Sequence, residues 1–244
     1  MLRRTCCDDV AVRVLAVSPH LDDAAFSAGA TLAVLADAGH DVTVVTVFTG
    51  SVADPQGFAL ACQTDKGLGP EVDYMALRRA EDTAAQAVLG ATPVHLPLVE
   101  APHRGYDSAP ALFCGVRPGD LVWQDVEQAL SGLEADLWLS PQGLGSHVDH
   151  LQVVRAVAAL GRPTAWWRDA PYVLRAPDAT PSPDLPGRLR PLAPAGDVNR
   201  RAEACACYLT QLGFQFGGEA GMRDALAGLR EVLLVDERAY ALLI

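Results

Sequence analysis

The sequence is short of basic residues and contains no run of them. Lysine and arginine together number 19 against 30 acidic residues, which gives a formal net charge of -11 over 244 residues. Binding to nucleic acid or to an anionic membrane depends on clustered Lys and Arg side chains, which release counterions. We therefore expect no nucleic-acid partner and no membrane partner.

Long apolar segments are missing as well. The first residues, MLRRTCC, are followed by Asp8 and Asp9 rather than by the apolar core of a signal peptide, and no stretch is long enough to cross a bilayer. Half of the residues are nevertheless hydrophobic and 20% are charged, which is the composition of a folded domain. We expect a cytoplasmic protein that folds on its own.

A regular cysteine framework is the third absence. Six cysteines stand at positions 6, 7, 62, 114, 205 and 207, without the spacing of a disulfide scaffold. Cys205-x-Cys207 could form a soft metal site, but the pair falls in a predicted helix, where residues two apart point in different directions. Free thiols are therefore the expectation.

What the sequence does contain is an alternation of strand-like and helix-like segments. A buried strand over residues 10–17, a helix over 23–38 and a second buried strand over 41–49 form a unit that crosses over into a parallel sheet. The alternation continues with predicted helices over 74–89, 121–133 and 147–160 and predicted strands over 94–98 and 136–140. This pattern predicts an α/β fold with a Rossmann-like, mostly parallel sheet and helices on both faces.

The remaining segments have little periodicity. Residues 50–73 and 99–120 are rich in Gly, Pro and Asp and are expected to be long loops at an active site. A Pro-rich irregular segment over 175–196 precedes a helix over 198–212 and C-terminal strands. We predict one domain over residues 1–244, with its motifs in a core of about 10–174.

A histidine and two aspartates follow the first predicted strand. The segment SPHLDD places His20, Asp22 and Asp23 where the strand gives way to a helix, and open α/β sheets bind ligands at the carboxyl ends of their strands. Imidazole and carboxylate are normal zinc ligands, so His20 and Asp23 can share one ion with Asp22 beside it. The alternative is that Asp22 or Asp23 only caps the helix.

A second polar cluster follows the predicted strand over 136–140. There the segment SHVDH supplies His147, Asp149 and His150, and residues three apart share one face of a helix. One histidine can then bind a metal while the other overhangs the open coordination position, and Asp149 can fix the tautomer of a histidine. A polar helix start with Ser146 or His147 at the cap is the alternative. Because three of six histidines fall in the two motifs, we favour the metal site.

These motifs together resemble the PIG-L/LmbE-like family of zinc-dependent de-N-acetylases. The resemblance rests on SPHLDD with the Ala-rich helix after it and on GSHVDH at the start of a later helix. A third match is Arg78-x-x-Glu81-x-x-x-Ala85-x-x-x-Leu89-Gly90, followed by VHLPLVEA. The matches span about residues 10 to 160 in the order of the family.

The resemblance implies a set of metal ligands and a base. By it, His20, Asp23 and His150 hold Zn²⁺, with another divalent metal such as Fe²⁺ left open, and Asp22 is the general base. Three protein ligands suit a catalytic zinc, because they leave one coordination position for water.

The resemblance also implies roles for the neighbouring residues. His147, tuned by Asp149, would be protonated and would stabilise the oxyanion or protonate the leaving amine. Arg78 and Glu100 fall where the family contacts the hydroxyls or acyl region of its substrate.

The sequence departs from the family in two places. Ala24 stands where many members have Glu, which bears on the rigidity of the first loop. Residues 167–172 (WRDAPY) resemble an aromatic-Glu-Asp-x-Pro-Tyr segment, with Arg168 at the Glu position, which bears on specificity for the acceptor.

We therefore predict a zinc-dependent hydrolase that removes an N-acetyl or other N-acyl group from an amino-sugar conjugate. Its partner is a small N-acylated, glycosidic substrate, and a homo-oligomer stays open. Two alternatives remain, namely an amidase of thiol or natural-product conjugates and a non-catalytic metal-binding relic. A nucleotide-dependent oxidoreductase is disfavoured because SPHLDD occupies the place of the Gly-rich phosphate turn.

Overall fold

The first strand and helix bring the SPHLDD segment to one edge of the sheet. The structure is a computed structural model that describes residues 11–244, so Cys6, Cys7 and the start of the predicted strand at residue 10 lie outside it. Strand β1 (Arg13–Ser18) is buried on both faces and leads into helix α1 (Asp23–Asp37) and strand β2 (Asp41–Thr46). The two strands pair in parallel, as a right-handed crossover requires.

A seven-stranded sheet forms the centre of the described residues. The strands after β2 are β3 (Thr92–His95), β4 (Leu137–Pro141), β5 (Thr164–Trp167), β6 (Arg190–Leu192) and β7 (Leu233–Val235). Their order is β3-β2-β1-β4-β5-β7-β6; the pairs from β3 to β5 are parallel, and β7 is antiparallel to β5 and β6. The predicted α/β class with a mostly parallel sheet is confirmed.

Helices cover both faces of this sheet. They are α2 (Gly57–Thr64), α3 (Tyr74–Leu89), α4 (Val122–Ser131), α5 (Val148–Leu160), α6 (Tyr172–Arg175), α7 (Val198–Cys205), α8 (Leu209–Phe216), α9 (Glu219–Ala227) and α10 (Glu237–Leu243). Residues of α1, α3 and α7 pack on one face, and residues of α4 and α5 pack on the other. Alternate residues of β1, such as Ala16 and Val17, enter opposite cores, because side chains alternate along a strand.

Several predicted boundaries need correction. The loop over 50–73 contains α2, and the loop over 99–120 contains 3₁₀ helices at Ala101–Arg104 and Pro110–Phe113. The helix predicted over 198–212 is two helices, since the chain turns between them and the buried Tyr208 hydroxyl donates to Asp82 on α3 at 2.7 Å.

The thiols of the described residues are free. Cys205 ends α7 and is buried, whereas Cys207 lies in the turn after it. The two residues therefore do not share one helix, but the expectation of free thiols is confirmed for the cysteines from Cys62 onward.

The strand order creates a switch point between β1 and β4. From β1 the chain proceeds to β2 and β3 on one side, and from β4 it proceeds to β5 on the other. Open α/β sheets bind ligands in the crevice outside such a point, at the carboxyl ends of the strands. Both polar motifs leave the sheet at these two strand ends.

Candidate metal centre

A strained turn connects β1 to α1. Ser18 Oγ donates to the His20 carbonyl at 2.7 Å and accepts from the Ala24 backbone N–H at 3.0 Å. Asp22, the residue before α1, has φ 153° and ψ -31°, which L-residues rarely adopt. Its side chain accepts no capping hydrogen bond, so this carboxylate does not act as the helix cap.

The three predicted zinc ligands meet at one carboxylate oxygen. Asp23 Oδ2 lies 3.1 Å from His20 Nδ1 and 3.1 Å from His150 Nε2. Ligands about 2.0–2.1 Å from a tetrahedral zinc lie about 3.3 Å apart, which is close to both separations. His150 Nε2 is buried and makes no hydrogen bond within the described residues. The donor set and this orphaned nitrogen therefore fit a divalent metal.

The outer nitrogen of His20 is held by Asp149. Asp149 Oδ2 lies 2.9 Å from His20 Nε2 and accepts from the Ala101 backbone N–H at 3.1 Å. Its other oxygen accepts from Arg104 Nη2 at 2.7 Å. Burial raises the pKa of Asp149, but the His20 hydrogen bond and Arg104 outweigh burial and hold that pKa well below its usual range. Arg104 was not among the predicted site residues, because nothing in its local sequence marks it.

The outer nitrogen of His150 is held by Asp169. Asp169 Oδ1 lies 2.7 Å from His150 Nδ1, and its Oδ2 accepts from the backbone N–H groups of Gln142 and Leu144 at 3.1 and 3.0 Å. A carboxylate that binds the free ring nitrogen of a ligating histidine fixes the tautomer of the ring and increases its basicity. Sequence reasoning missed Asp169, although it belongs to the WRDAPY segment that carries the family resemblance.

The structure corrects the expected link between Asp149 and His147. The Asp149 carboxylate points to His20, and only its backbone N–H reaches His147, donating to Nδ1 at 3.2 Å. His147 is also the residue before α5 and caps it through this bond, so the capping alternative holds alongside any role in the site. A nitrogen that accepts this bond carries no proton, so a neutral His147 carries its proton on Nε2.

The surroundings of His147 disfavour its charged form. Burial and the neighbouring His20 lower the pKa of His147 to about 3. The ring is therefore neutral near pH 7, which differs from the protonated histidine that the sequence led us to expect. One ring nitrogen from each of His20, His147 and His150 also lies within 4.8 Å of the other two. His147 could thus replace Asp23 in a metal site, but the two 3.1 Å separations favour Asp23, and two histidines with a carboxylate are a normal ligand set for catalytic zinc.

Asp22 lies beside this cluster without joining it. Burial and the Asp23 carboxylate raise the pKa of Asp22 to about 7. Arg78 Nη2 approaches Asp22 Oδ1 to 3.9 Å, and Arg78 Nη1 forms an ion pair with Glu100. The predicted substrate contacts Arg78 and Glu100 therefore border the predicted base.

The loop after β4 brings His147 and His150 against Tyr172. Gly145 has φ 84°, and a Cβ atom at this position would lie 2.8 Å from Tyr172 Cβ. The Tyr172 ring centroid lies 5.1 Å from that of His150 and 6.2 Å from that of His147. Only glycine allows this close approach.

A cavity of about 280 Å³ opens over the cluster. Its inner wall includes His20, Asp22, Asp23, His147 and Asp149. Its outer wall is made by α2, α6, α8 and the 3₁₀ helix Pro110–Phe113, and it contains Phe58, Lys66, Phe113, Tyr172, Arg175 and Phe214. Two of the predicted ligands, the base and the substrate contacts therefore line one cavity, of a size that suits a small molecule. The third ligand, His150, is fully buried and contacts the lining residue Asp23.

The chain is similar to a known family and to several deacetylases. Residues 15–160 match the model of the PIG-L family, described as GlcNAc-PI de-N-acetylase. A 2'-N-acetylparomamine deacetylase from Streptomyces fradiae is 37% identical over 171 residues, which is 66% of this chain and 57% of the relative. The chain thus spans a little over half the length of that curated relative.

Two solved structures are similar over nearly the whole chain. The A40926 pseudoaglycone deacetylase is 32% identical with a TM-score of 0.74, covering 92% of this chain and 96% of its own. The zinc-inhibited form of a teicoplanin deacetylase is 26% identical with a TM-score of 0.76, covering 91% and 97%. These findings confirm the resemblance that the motifs carry.

Proposed function

Since the chain belongs to the PIG-L family, we propose that it is a metal-dependent hydrolase that removes an N-acetyl or related N-acyl group from an amino-sugar conjugate. The observation that carries this proposal is the position of Asp23 Oδ2, 3.1 Å from a nitrogen of both His20 and His150, at the base of an open cavity. The deacetylase activity of the paromamine, A40926 and teicoplanin relatives supports it.

His20, Asp23 and His150 are the proposed ligands of the metal. Zinc in this place would supply a Lewis acid and lower the pKa of water toward about 7. We favour zinc for the His₂-carboxylate donor set, and Fe²⁺ remains the alternative. Asp149 and Asp169 would hold the two histidines in the orientation that the metal needs.

Asp22 is the proposed general base. Its carboxylate is buried, faces the cavity and is bound by no capping contact. A general base acts best when its pKa lies near the working pH. The strained backbone at Asp22 keeps this side chain out of the helix cap, where it would be hydrogen-bonded to backbone groups.

His147 is the proposed oxyanion donor. Its Nδ1 accepts a backbone hydrogen bond, so the Nε2–H of the neutral ring is the group that can donate to a developing negative charge. Preorganised donors of this kind stabilise the tetrahedral intermediate of acyl transfer. The neutral ring can donate this hydrogen bond without first being protonated. The role is therefore compatible with a His147 pKa that is lowered to about 3.

The substrate class follows from the relatives and from the cavity. The relatives act on N-acetylparomamine, teicoplanin and an A40926 pseudoaglycone. We propose an N-acylated amino sugar within a larger conjugate, with Arg78 and Glu100 facing its hydroxyl or acyl groups. The outer wall of the cavity, beyond the inner cluster, is the place for the rest of the conjugate.

The test combines metal analysis with a deacylation assay. Zinc-loaded protein is incubated with N-acyl amino sugars, their glycosides and thiol conjugates, and released amine is measured. Asp22→Asn should retain zinc but lose roughly 10²-fold or more of its turnover, whereas Asp41→Asn, an exposed aspartate at the opposite end of the sheet, should leave turnover unchanged.

Three outcomes would change the assignment. Near-native turnover of Asp22→Asn would remove its role as base. Activity only on thiol conjugates would favour the amidase. Zinc binding without release of amine from any substrate would favour the non-catalytic relic.

A further inference from the structure

The outer wall of the cavity carries the single lysine of the sequence. Lys66, just after α2, lies on the cavity wall, and its Nζ donates to the Cys62 carbonyl at 2.6 Å. The Nζ atom also lies 4.8 Å from the ring centroid of Phe214 and 5.3 Å from that of Tyr74. One cation is thus held between two aromatic rings at the wall of the substrate cavity.

No carboxylate pairs with Lys66 within the described residues. An ammonium group has three donors, and the hydrogen bond to Cys62 uses one. Partial burial and the nearby Arg78 lower the pKa of Lys66, and the Glu100 and Asp22 carboxylates, which do not contact it, offset this only in part. The charged form is therefore destabilised in the protein alone. A partly buried cation without an anion is costly unless a ligand completes the pair.

A second cation, the exposed Arg175, contacts the same turn of α8. Arg175 lies on the cavity wall, and its Nη2 donates to Oε1 and to the backbone carbonyl of Gln215 at 3.0 and 3.1 Å. Lys66 packs on Phe214 and Arg175 donates to Gln215, so the two cations contact consecutive residues of α8. Both partners of Arg175 are neutral, and within residues 11–244 no carboxylate lies within 4.0 Å of it.

We propose that Lys66 and Arg175 bind an acidic group on the part of the conjugate that lies beyond the amino sugar, with Phe214 packed against an apolar or aromatic portion of it. This proposal rests on the proposed function, since it names the substrate class of the same cavity. A carboxylate or phosphate would supply a negative charge to which both side chains can donate hydrogen bonds. The two positive side chains would instead repel a polycationic conjugate.

One acidic residue of the outer wall would favour a cationic conjugate instead. Asp65 also lines the cavity and is exposed, so it is the residue that a cationic conjugate would use. It is adjacent to Lys66 in sequence, yet the two side chains form no ion pair within the described structure. The pair therefore gives matched variants with opposite expectations.

The experiment uses three aryl glycosides of N-acetylglucosamine of similar size. Their rings are phenyl, 4-carboxyphenyl and 4-aminomethylphenyl, so that they differ mainly in charge. Wild-type, zinc-loaded protein should show a KM for the carboxyphenyl glycoside roughly tenfold below that for the phenyl glycoside, as a charge-assisted hydrogen bond gives. The kcat values should agree within about twofold, because the contact is made equally in the ground state and the transition state.

Variants then assign the preference to its side chains. Lys66→Gln should abolish most of the KM difference, Lys66→Arg should keep it, and Asp65→Asn should leave it intact. A variant that only disturbed α2 would raise the KM of all three glycosides together, so the ratio of KM values separates charge recognition from a structural role.

The proposal is overturned if the lower KM for the carboxyphenyl glycoside survives Lys66→Gln. It is also overturned if wild-type protein has its lowest KM for the aminomethylphenyl glycoside and Asp65→Asn removes that preference. Equal KM values for all three glycosides would also overturn it while leaving the proposed function intact. Failure of the wild-type protein to hydrolyse any glycoside in the panel would instead count against the proposed function.

Discussion

Each of the two proposed histidine ligands, His20 and His150, has its outer nitrogen bound by a carboxylate, and Asp169 offers the cleanest way to test that support. It contacts His150 but lies outside the predicted ligand set. Asp169→Asn should lower zinc affinity by roughly 10–100-fold, as loss of such partners does in other zinc sites. Competition with a chromogenic chelator measures this.

A matched control separates metal support from a general loss of an aspartate. Asp136 precedes β4 at the opposite end of the sheet, where its partly exposed side chain pairs with Arg13. Asp136→Asn should therefore leave zinc affinity unchanged. If Asp169→Asn bound zinc as tightly as this control, the carboxylate would not orient His150.

His147 can be a hydrogen-bond donor or a metal ligand, and one substitution distinguishes the two roles. His147→Asn retains a side chain that can cap α5 but is too short to reach the cluster. We expect kcat to fall by roughly 10²–10³-fold with one zinc still bound per chain. Loss of zinc would show instead that His147 joins His20 and His150 as a ligand.

At the scale of elements, helix α1 is fixed in its middle by the C-terminal part of the chain. Glu231 accepts from the backbone N–H groups of Ala30 and Thr31 at 2.8 Å each, and it pairs with the buried Arg201 at 3.3 Å. The Asp197 backbone N–H in turn donates to the Ala30 carbonyl at 3.0 Å. The helix that begins at the candidate metal centre is thus held in place by residues far along the sequence.

Removing the Glu231 carboxylate should lower the free energy of unfolding. Glu231→Ala leaves two backbone donors and the Arg201 guanidinium without their partner, and breaking a buried pair costs about 3–5 kcal/mol of unfolding free energy. Urea unfolding followed by circular dichroism measures the change. Glu237→Ala, at an exposed position of α10, is the control and should change the unfolding free energy by less than about 0.5 kcal/mol. Similar midpoints for the two variants would contradict this account of α1.

The helices and strands whose ends are marked by local sequence signals were predictable. Helix α3 begins and ends where predicted, because Asp73 caps its first turn and Gly90 ends it in a left-handed conformation. The single helix predicted over 198–212 failed, because its break depends on the contact of Tyr208 with α3. Strand β5 was not predicted, since its four residues are all buried and show no alternation of apolar and polar side chains.

The candidate site was predictable only in part, for a similar reason. His20 and His150 stand in motifs at strand ends, where fold topology alone brings them together. Arg104, Lys66 and Phe214 lie in segments without a motif and enter the site through tertiary packing. Their places could not be derived from local sequence.

At the scale of the whole molecule, the C-terminal region completes the cavity. The family model ends at residue 160, yet α6 and α8 supply Tyr172, Arg175 and Phe214 to the wall. Within the described residues, no helix is both long and apolar enough to span a membrane. The family core thus supplies the candidate metal cluster and Lys66, and the later region supplies Arg175 and Phe214, the other residues that we propose to recognise the conjugate.

Binding of a metal to this centre should stabilise the whole fold, because the ligands come from separate elements. His20 and Asp23 stand at the junction of β1 and α1, and His150 stands on α5. A ligand that binds only the native state adds RT ln(1 + [L]/Kd), or about 2.7 kcal/mol at 100 times Kd. For a domain of this size that corresponds to a rise in Tm of roughly 5–10 °C. We expect this rise when zinc is added to metal-stripped protein in a thermal-shift experiment.

Two matched variants test whether the rise in Tm comes from metal binding at this centre. His150→Ala should abolish the zinc-dependent shift, whereas His40→Ala, at a half-buried histidine before β2 that is remote from the cavity, should retain it. The shift is read as the difference between zinc-loaded and metal-stripped samples of the same variant, so any stability lost by the substitution itself cancels. A full shift in His150→Ala would show that zinc stabilises the protein from somewhere else, and the ligand set proposed for this centre would have to be abandoned.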